Sequence, residues 1–456
     1  MDYSVVSESG FGSLLRFRRN RLAFIAEAGS HSLDIRRMNF LGRRIFQINH
    51  PELVRDVLVT HDWNFVKGRG LLASRPVLGH GLLTSEGELH RRQRRLVQPA
   101  FHSARLKRYG QIMVECAQQA SDEWQDFKQL AIDQEMMRLT LRIVGHTLFS
   151  ADLKNDADGV SASLTSALRV FLTLNNPLTL LFTPVRRTAE RKAKQAREQI
   201  EQVLRGVIDS HRRHEAGYDD MLSMMMHSSS DTGTGNMSDE LLLDESLTLF
   251  LAGHETTANA LTWAWYLLAL HPSLAEQLHM ELDDVLGGRP PALDDLDGLE
   301  FTGRVFREVL RLYPPAWVIV REVVTDYRLG NVHVPAGSTV LMSPYAMHRD
   351  PRFWERPEIF DPDRWKNDGS SDRPKFAFFP FGAGSRVCIG EHFAMMEGVL
   401  LLAVLAQQWR LHLVPGQKIE LWPQIMLRPR HAMQMTPNRR NANHAGAPAV
   451  ECVTQC

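Results

Sequence analysis

Ser246–Leu270 is a run of twenty-five mostly apolar residues with His254 and Glu255 near its middle and Gly253 beside them. At ~1.5 Å of rise per residue, a helix of that length crosses either a bilayer or a whole domain. Charge at mid-bilayer depth is costly in a lipid-facing helix. The prediction is therefore a helix threaded through the core of a large globular unit, and its central ionisable pair becomes a candidate site. The helical pattern reaches back to Asp239, which gives a predicted helix over Asp239–Leu270.

The rest of the chain arranges itself around that helix. Asp34–Asn49 reads as two short strands about a turn at Leu41–Gly42, and Pro51 opens a helix through Leu58. Arg69–Leu83 is Gly- and Pro-rich and reads as a loop. Glu86 to about Ala216 is helical in pattern, interrupted at Asn175–Val185, whose apolar composition suits a lid. His227–Met237 has the composition of a flexible loop, and Leu299–Leu312 is a further helix stopped by Pro314–Pro315. Val318–Met342 has strand character broken at Gly330 and Gly337, residues 343–390 are irregular, and Ile389–Trp409 is helical before a small β region ending at Met435. No linker divides the chain. The expected fold is one large, mainly α domain with a minor β portion (α+β) over residues 1–436, then a disordered tail over 437–456.

Lys plus Arg and Asp plus Glu both number 53, a balance that gives no reason to expect nucleic acid. The opening residues MDYSVVSESGFGSLLRFRRNRL hold no long apolar run, so neither a signal peptide nor a membrane anchor is expected. The four cysteines, Cys116, Cys388, Cys452 and Cys456, form no C-x-x-C pair. That argues against zinc or a dithiol site and fits a reduced, cytoplasmic compartment.

The ten residues Phe381–Gly390, FGAGSRVCIG, carry the sharpest signal. Cys388 precedes an apolar helix, where backbone amides and the helix dipole favour a thiolate. Gly382, Gly384 and Gly390 permit close backbone approach to the sulfur, and Arg386 is placed to meet an anionic group on the same ligand. The pattern Phe-x-x-Gly-x-Arg-x-Cys-x-Gly, filled by Phe381, Gly384, Arg386, Cys388 and Gly390, resembles the heme-binding signature of the cytochrome P450 family. The resemblance spans roughly Asp34–Met435. It implies heme b (iron protoporphyrin IX), with Cys388 as the thiolate ligand to iron and Phe381 and Arg386 in the cofactor site. A thiolate pushes electron density to heme iron and favours O–O cleavage.

Three further constellations fit the same resemblance. Ala252-Gly253-His254-Glu255-Thr256-Thr257 implies Thr256 as the alcohol and Glu255 as the acid of a proton relay for dioxygen cleavage; His254 occupies a variable place and is taken as structural. Glu308 and Arg311 share a helix face, and the resemblance joins them to Arg364 as an architectural triad, with Trp365 where phenylalanine is commoner. His90 and Arg94, four apart on one helix face, and Arg321 match positions that bind the heme propionates.

The segments expected over the heme are Arg69–Leu83, Asn175–Val185, Phe250–Ala252, Ala316–Ile319 and Gln424–Met426, with Leu78, Phe250, Ala252, Trp317, Val318 and Ile425 as named pocket residues. Their apolar character favours an apolar substrate of terpenoid, fatty-acyl or polyketide-like class, hydroxylated or epoxidised with one oxygen atom from O2. No Gly-rich dinucleotide motif follows a strand. Electrons are expected from a separate ferredoxin- or flavodoxin-type protein with an NAD(P)H-dependent reductase, and the enzyme is expected to be a monomer. Two other readings keep the scaffold: a peroxide-dependent enzyme, which the acid–alcohol pair disfavours, and a non-catalytic heme sensor or carrier, for which no output domain is visible.

Overall fold

A computed structural model describes residues 3–152, 183–213, 220–227, 237–368 and 373–440, apart from residues 10 and 41. Its helices are α1 (Phe11–Arg19), α2 (Arg21–Ser30), α3 (Pro51–Arg55), α4 (Gly87–Val97), α5 (Ser103–Glu123), α6 (Ile132–Leu148), α7 (Thr183–Arg213), α8 (Met221–His227), α9 (Asp239–Leu270), α10 (Pro272–Leu286), α11 (Glu300–Leu312) and α12 (Glu391–Gln408). The strands are β1 (Val5–Ser9), β2 (Ile35–Phe40), β3 (Arg43–Ile48), β4 (Phe65–Lys67), β5 (Leu130–Ala131), β6 (Ile319–Val323), β7 (Tyr327–Leu329), β8 (Val332–Val334), β9 (Thr339–Met342), β10 (Trp409–Leu413), β11 (Leu421–Pro423), β12 (Leu427–Pro429) and β13 (Gln434–Arg439). The architecture is mainly α with minor β, as expected.

The long apolar helix is α9, with the bounds read from sequence. Ser238 caps it through a 3.3 Å bond from Leu241 N–H to its hydroxyl, and Pro272 opens the next helix just beyond its end. It is buried along most of its length and packs most extensively on α6, with α10, α11 and α12 also against it. Polar groups lock the central contact: Thr140 Oγ1 of α6 donates to the His254 carbonyl at 3.0 Å. Among the described residues no helix is long and apolar enough to cross a membrane. Glu255 in mid-helix is accommodated because the helix lies in protein.

The main sheet has the order β1-β2-β3-β9-β6-β4, and β2 and β3 form the predicted hairpin, with Ile35 opposite Ile48. A second sheet, β10-β13-β5, and the hairpins β7–β8 and β11–β12 complete the β portion. Hairpin β11–β12 is fastened to the helical core: Leu427 N–H donates to the Pro315 carbonyl at 2.9 Å, and Trp263 Nε1 of α9 donates to the Leu427 carbonyl at 3.1 Å.

Several expected boundaries move. The predicted loop Arg69–Leu83 contains helical turns at Arg69–Leu72 and Arg75–Leu78. It is seated on α9 by bonds from His80 N–H to Asp244 Oδ2 (2.7 Å) and from Leu82 N–H to Glu245 Oε2 (2.9 Å). Helix α3 stops at Arg55 and widens into a π turn over Asp56–Thr60. Thr183–Val185, assigned to the apolar interruption, open α7; residues 175–182 of that interruption lie outside the described residues, as do 228–236 of the predicted flexible loop. Strand β13 continues to Arg439 because Pro437 pairs with Leu411 and Arg439 with Trp409. The sheet therefore passes the expected tail boundary at 437, and residues 441–456 lie outside the described residues.

Helices α11 and α12 meet so closely that a Cβ on Gly398 would sit 2.1 Å from Phe306 Cζ. Gly398→Ala is expected to lower unfolding stability by about 1–3 kcal/mol through overpacking, read by thermal or denaturant unfolding of the holoprotein. Phe306→Leu in the same chain should recover part of the loss.

Candidate active site

The Cys388 loop is closed by its own backbone, Cys388 N–H donating to the Phe381 carbonyl at 2.9 Å. Gly384 takes φ +70°, and a Cβ there would fall 1.8 Å from the Leu58 carbonyl oxygen, so the loop lies flush against the turn after α3. Gly390, by contrast, has an ordinary φ of −96° and room for a Cβ. Arg94 of α4 clamps the loop from the other side, its Nη1 donating to the Val387 carbonyl at 2.8 Å.

The Cys388 side chain keeps open surface, yet burial is the largest influence on it and pushes its thiol up. Both hold for a side chain bordering an internal space. The helix expected to favour a thiolate at Cys388 starts later than its sequence bound of Ile389. Helix α12 begins only at Glu391, whose carboxylate raises the thiol further, and the Gly390 amide and Arg94 offset part of this.

A second open face lies on α9. Ala252 is exposed and Thr256 partly exposed, while Phe250, Leu251, His254, Glu255 and Thr257 around them are buried. Residues four apart share a helix face, so Ala252 and Thr256 together define one open strip. Phe250 stands ~200° around the helix from Ala252. Its ring packs on Phe149 at 6.0 Å, so the expectation that it lines the pocket is corrected: it is core. Thr256 Oγ1 donates to the Ala252 carbonyl at 2.8 Å. Glu255 is buried, and burial pushes its carboxyl up, partly opposed by Arg428 of β12, whose Nη1 is 3.9 Å from Glu255 Oε1. His254 is held at about 4 by burial and bonds the Phe250 carbonyl at 2.7 Å. That arrangement agrees with its structural assignment. On α12, Glu397 is fully buried beside Thr257, and burial pushes its carboxyl up to about 8.

Of the other pocket candidates, Val318 and Ile425 are half-buried, and Leu78 is buried in the cluster around α7 and α9. Trp317 is a structural clip, its Nε1 donating to the Gln424 carbonyl at 2.9 Å while its own carbonyl accepts from Ser343 Oγ at 2.7 Å.

His90, Arg321 and Arg386 converge with a residue the sequence did not single out, Lys67 of β4. Lys67 Nζ is buried and donates to the Leu82 and Ser85 carbonyls, both at 2.8 Å. Arg386 pairs with Glu86 and donates to the Ser85 carbonyl at 3.4 Å, and Glu86 also accepts from Lys67 N–H at 2.6 Å. His90 Nδ1 is 3.5 Å from Ser85 Oγ, and its Nε2 is buried without a hydrogen-bond partner. Burial and mutual repulsion depress all the basic groups that shift: Lys67 to about 7 (burial, then Arg386), His90 to about 4 (burial, then Lys67), and Arg321 to about 10 (burial, then Arg386). Cations crowded in this way are electrostatically short of anions.

The chain matches the family model described as Cytochrome P450 over residues 10–436. It belongs to the cytochrome P450 family. It is 39% identical over 422 residues to cyclooctatin synthase of Streptomyces melanosporofaciens, covering 91% of each chain. It is 34% identical over 411 residues to pentalenene oxygenase of Streptomyces avermitilis, covering 90% of each. A cyclooctat-9-en-7-ol 5-monooxygenase of Streptomyces melanosporofaciens is 34% identical over 418 residues, 89% of this chain and 88% of that one. The protein is a heme-thiolate monooxygenase, and the cofactor of its family is heme b. The residues present fit that group: open thiol surface at Cys388, an open Ala252–Thr256 strip on α9, an orphaned His90 nitrogen and a crowd of basic groups suited to two carboxylates.

In this P450 the Glu308–Arg311–Arg364 cluster forms as expected. Arg311 binds Glu308 through Nε (2.9 Å) and Nη2 (2.8 Å), and Arg364 Nε reaches Glu308 Oε1 at 3.1 Å. Trp365 explains its departure from phenylalanine, because its Nε1 donates to Glu308 Oε2 at 2.9 Å. The cluster reaches the thiol loop through His348, which the sequence did not flag. Arg311 holds the His348 carbonyl at 2.8 Å, and His348 Nε2 accepts from Phe379 N–H at 3.0 Å. That bond fixes the ring as neutral with its proton on Nδ1, and burial keeps it far below the ordinary histidine value. Trp365→Phe is expected to cost about 2 kcal/mol, the loss of one donor to a buried carboxylate. Glu308→Gln should cost about 3–5 kcal/mol by leaving two buried guanidinium groups short of their anion. Thermal unfolding, followed by heme absorbance and circular dichroism, reads both.

Proposed function

We propose that this P450 oxygenates a polycyclic terpenoid, with Cys388 as the iron ligand, Glu255 and Thr256 as its proton relay, and His90, Arg94, Arg321 and Arg386 receiving the heme carboxylates. The observation that carries the reading is the open Ala252–Thr256 strip with a buried carboxyl next to it, in a core that otherwise closes over α9. When bound, the heme supplies reductive activation of dioxygen at a thiolate-ligated iron.

The chain's own residues do the rest. Thr256 commits its proton to the Ala252 carbonyl, which leaves its oxygen lone pairs to accept a hydrogen bond in the chamber. Glu255 supplies protons from a site too buried for bulk water to compete freely. Half-buried Val318 and Ile425 and the Ala252 methyl offer apolar contact without fixed charge. Two relatives are named for cyclooctat-9-en-7-ol and for pentalenene, which supports the terpenoid class among the three of the sequence reading. The reading keeps a separate ferredoxin- or flavodoxin-type donor with its reductase, a monomer and a cytoplasmic setting.

Pentalenene and cyclooctat-9-en-7-ol, as probes, are expected to displace the resting iron's water and to be oxidised with dioxygen and a surrogate ferredoxin system, whereas lauric acid is not. Preference for lauric acid would reverse the substrate assignment. Thr256→Ala should retain heme while product per NADPH falls by roughly a hundredfold, the low end of what positioned proton transfer contributes, with hydrogen peroxide making up the electrons. An unchanged yield would refute the role.

A further inference from the structure

Glu255 is buried at the centre of α9, and among the described residues a single opposite charge acts on it. That charge is Arg428, 3.9 Å away and itself 16% exposed in its side chain. Arg428 comes from neither α9 nor its helical neighbours but from β12, on the far strand of the β11–β12 hairpin. Its guanidinium lies over the Trp422 ring of the same hairpin, 4.9 Å from the centroid. The hairpin is fixed at three points. Leu427 N–H binds the Pro315 carbonyl, the Leu427 carbonyl accepts from Trp263 of α9, and the Gln424 carbonyl accepts from Trp317. Between those points the turn Gln424–Met426 stays half-buried, where the function proposed above places substrate.

We propose that Arg428 is a positioning residue for the acid: it holds the Glu255 carboxyl against the β11–β12 hairpin, so that the pocket wall and the proton relay form one mechanical unit. The inference rests on reading Glu255 as the acid. Burial alone would keep the carboxyl protonated and unable to accept a proton from solvent. The guanidinium opposes burial and lets the group cycle between its two forms. The other polar groups around this pair do not take its place. His254 turns away to the Phe250 carbonyl, Asn259 of α9 binds the Glu255 backbone carbonyl at 2.8 Å, and Asp133 of α6, which also feels Arg428, is engaged by Met433 N–H at 2.9 Å. Asp133 is only half-buried and feels Arg428 as the weakest of several influences, which leaves Glu255 as the acid in ion-pair range of the guanidinium among the described residues.

The test compares wild type, Arg428→Gln, Arg428→Lys, Glu255→Gln and the double variant Arg428→Gln/Glu255→Gln as ferric holoproteins. An infrared pH titration follows the protonated-carboxyl band that Glu255→Gln removes, and pentalenene turnover gives product per electron against pH. Without Arg428 the band is expected to persist to higher pH by about one unit or more, the size of an opposite-charge effect at this range. The matching limb of the pH profile should move with it, and Arg428→Lys should restore most of both. In the Glu255→Gln background, Arg428→Gln should shift neither. If Glu255→Gln keeps wild-type yield, the acid reading itself falls and takes this inference with it. If Glu255→Gln is impaired while Arg428→Gln leaves band and limb in place, or shifts the limb equally in both backgrounds, the positioning role alone is overturned.

Discussion

A sulfur in an apolar interior keeps its proton unless something cationic replaces it. Cys388 tends that way although it keeps open surface, because desolvation and the Glu391 carboxylate raise its thiol against the Gly390 amide and Arg94. In the proposed assignment the thiolate at Cys388 forms together with the metal, as for any ligand that must be deprotonated to bind. The fold supplies a fixed place for the sulfur. The loop is closed on Phe381, pressed against the Leu58 carbonyl at Gly384, clamped by Arg94 and tied through Phe379 and His348 to the Glu308 cluster.

The same logic of incomplete groups recurs beside the thiol. Buried Lys67 and His90 are crowded with half-buried Arg321 and Arg386, with Glu86 as the acid in direct contact with Arg386, and the shifted members are depressed by burial and by one another. Such a cluster costs the apoprotein stability and is relieved by an anionic ligand. Under the proposed assignment the heme carboxylates are that ligand, and their loss should loosen α4, the Cys388 loop and β6 together.

Much of this was legible in the sequence wherever the information was local. The Phe381–Gly390 loop, the bounds of α9, the β2–β3 hairpin and the Glu308–Arg311 pair all rest on spacing within one element or one turn. Partners that meet only through tertiary register left no such mark. Lys67 sits in a three-residue strand, Glu86 just before α4, His348 in an irregular stretch and Arg428 on a hairpin more than 170 residues beyond the glutamate it faces. Phe250 differs for another reason, helical phase: the four-residue spacing of Ala252 and Thr256 puts it on another face of α9. The opening turn of α7 was missed because Pro184 and the apolar residues before it read as a break, although proline is at home in the first turn of a helix.

The account stands on sulfur ligation at one position. The most direct measurement is the absorption spectrum of the dithionite-reduced, carbon monoxide-bound holoprotein, taken alongside Cys388→Ser. The account predicts the strongly red-shifted Soret band of a thiolate-bound heme in the wild type and its absence in the variant. A wild-type spectrum of the histidine-ligated kind, or a variant that keeps the thiolate band, would contradict it.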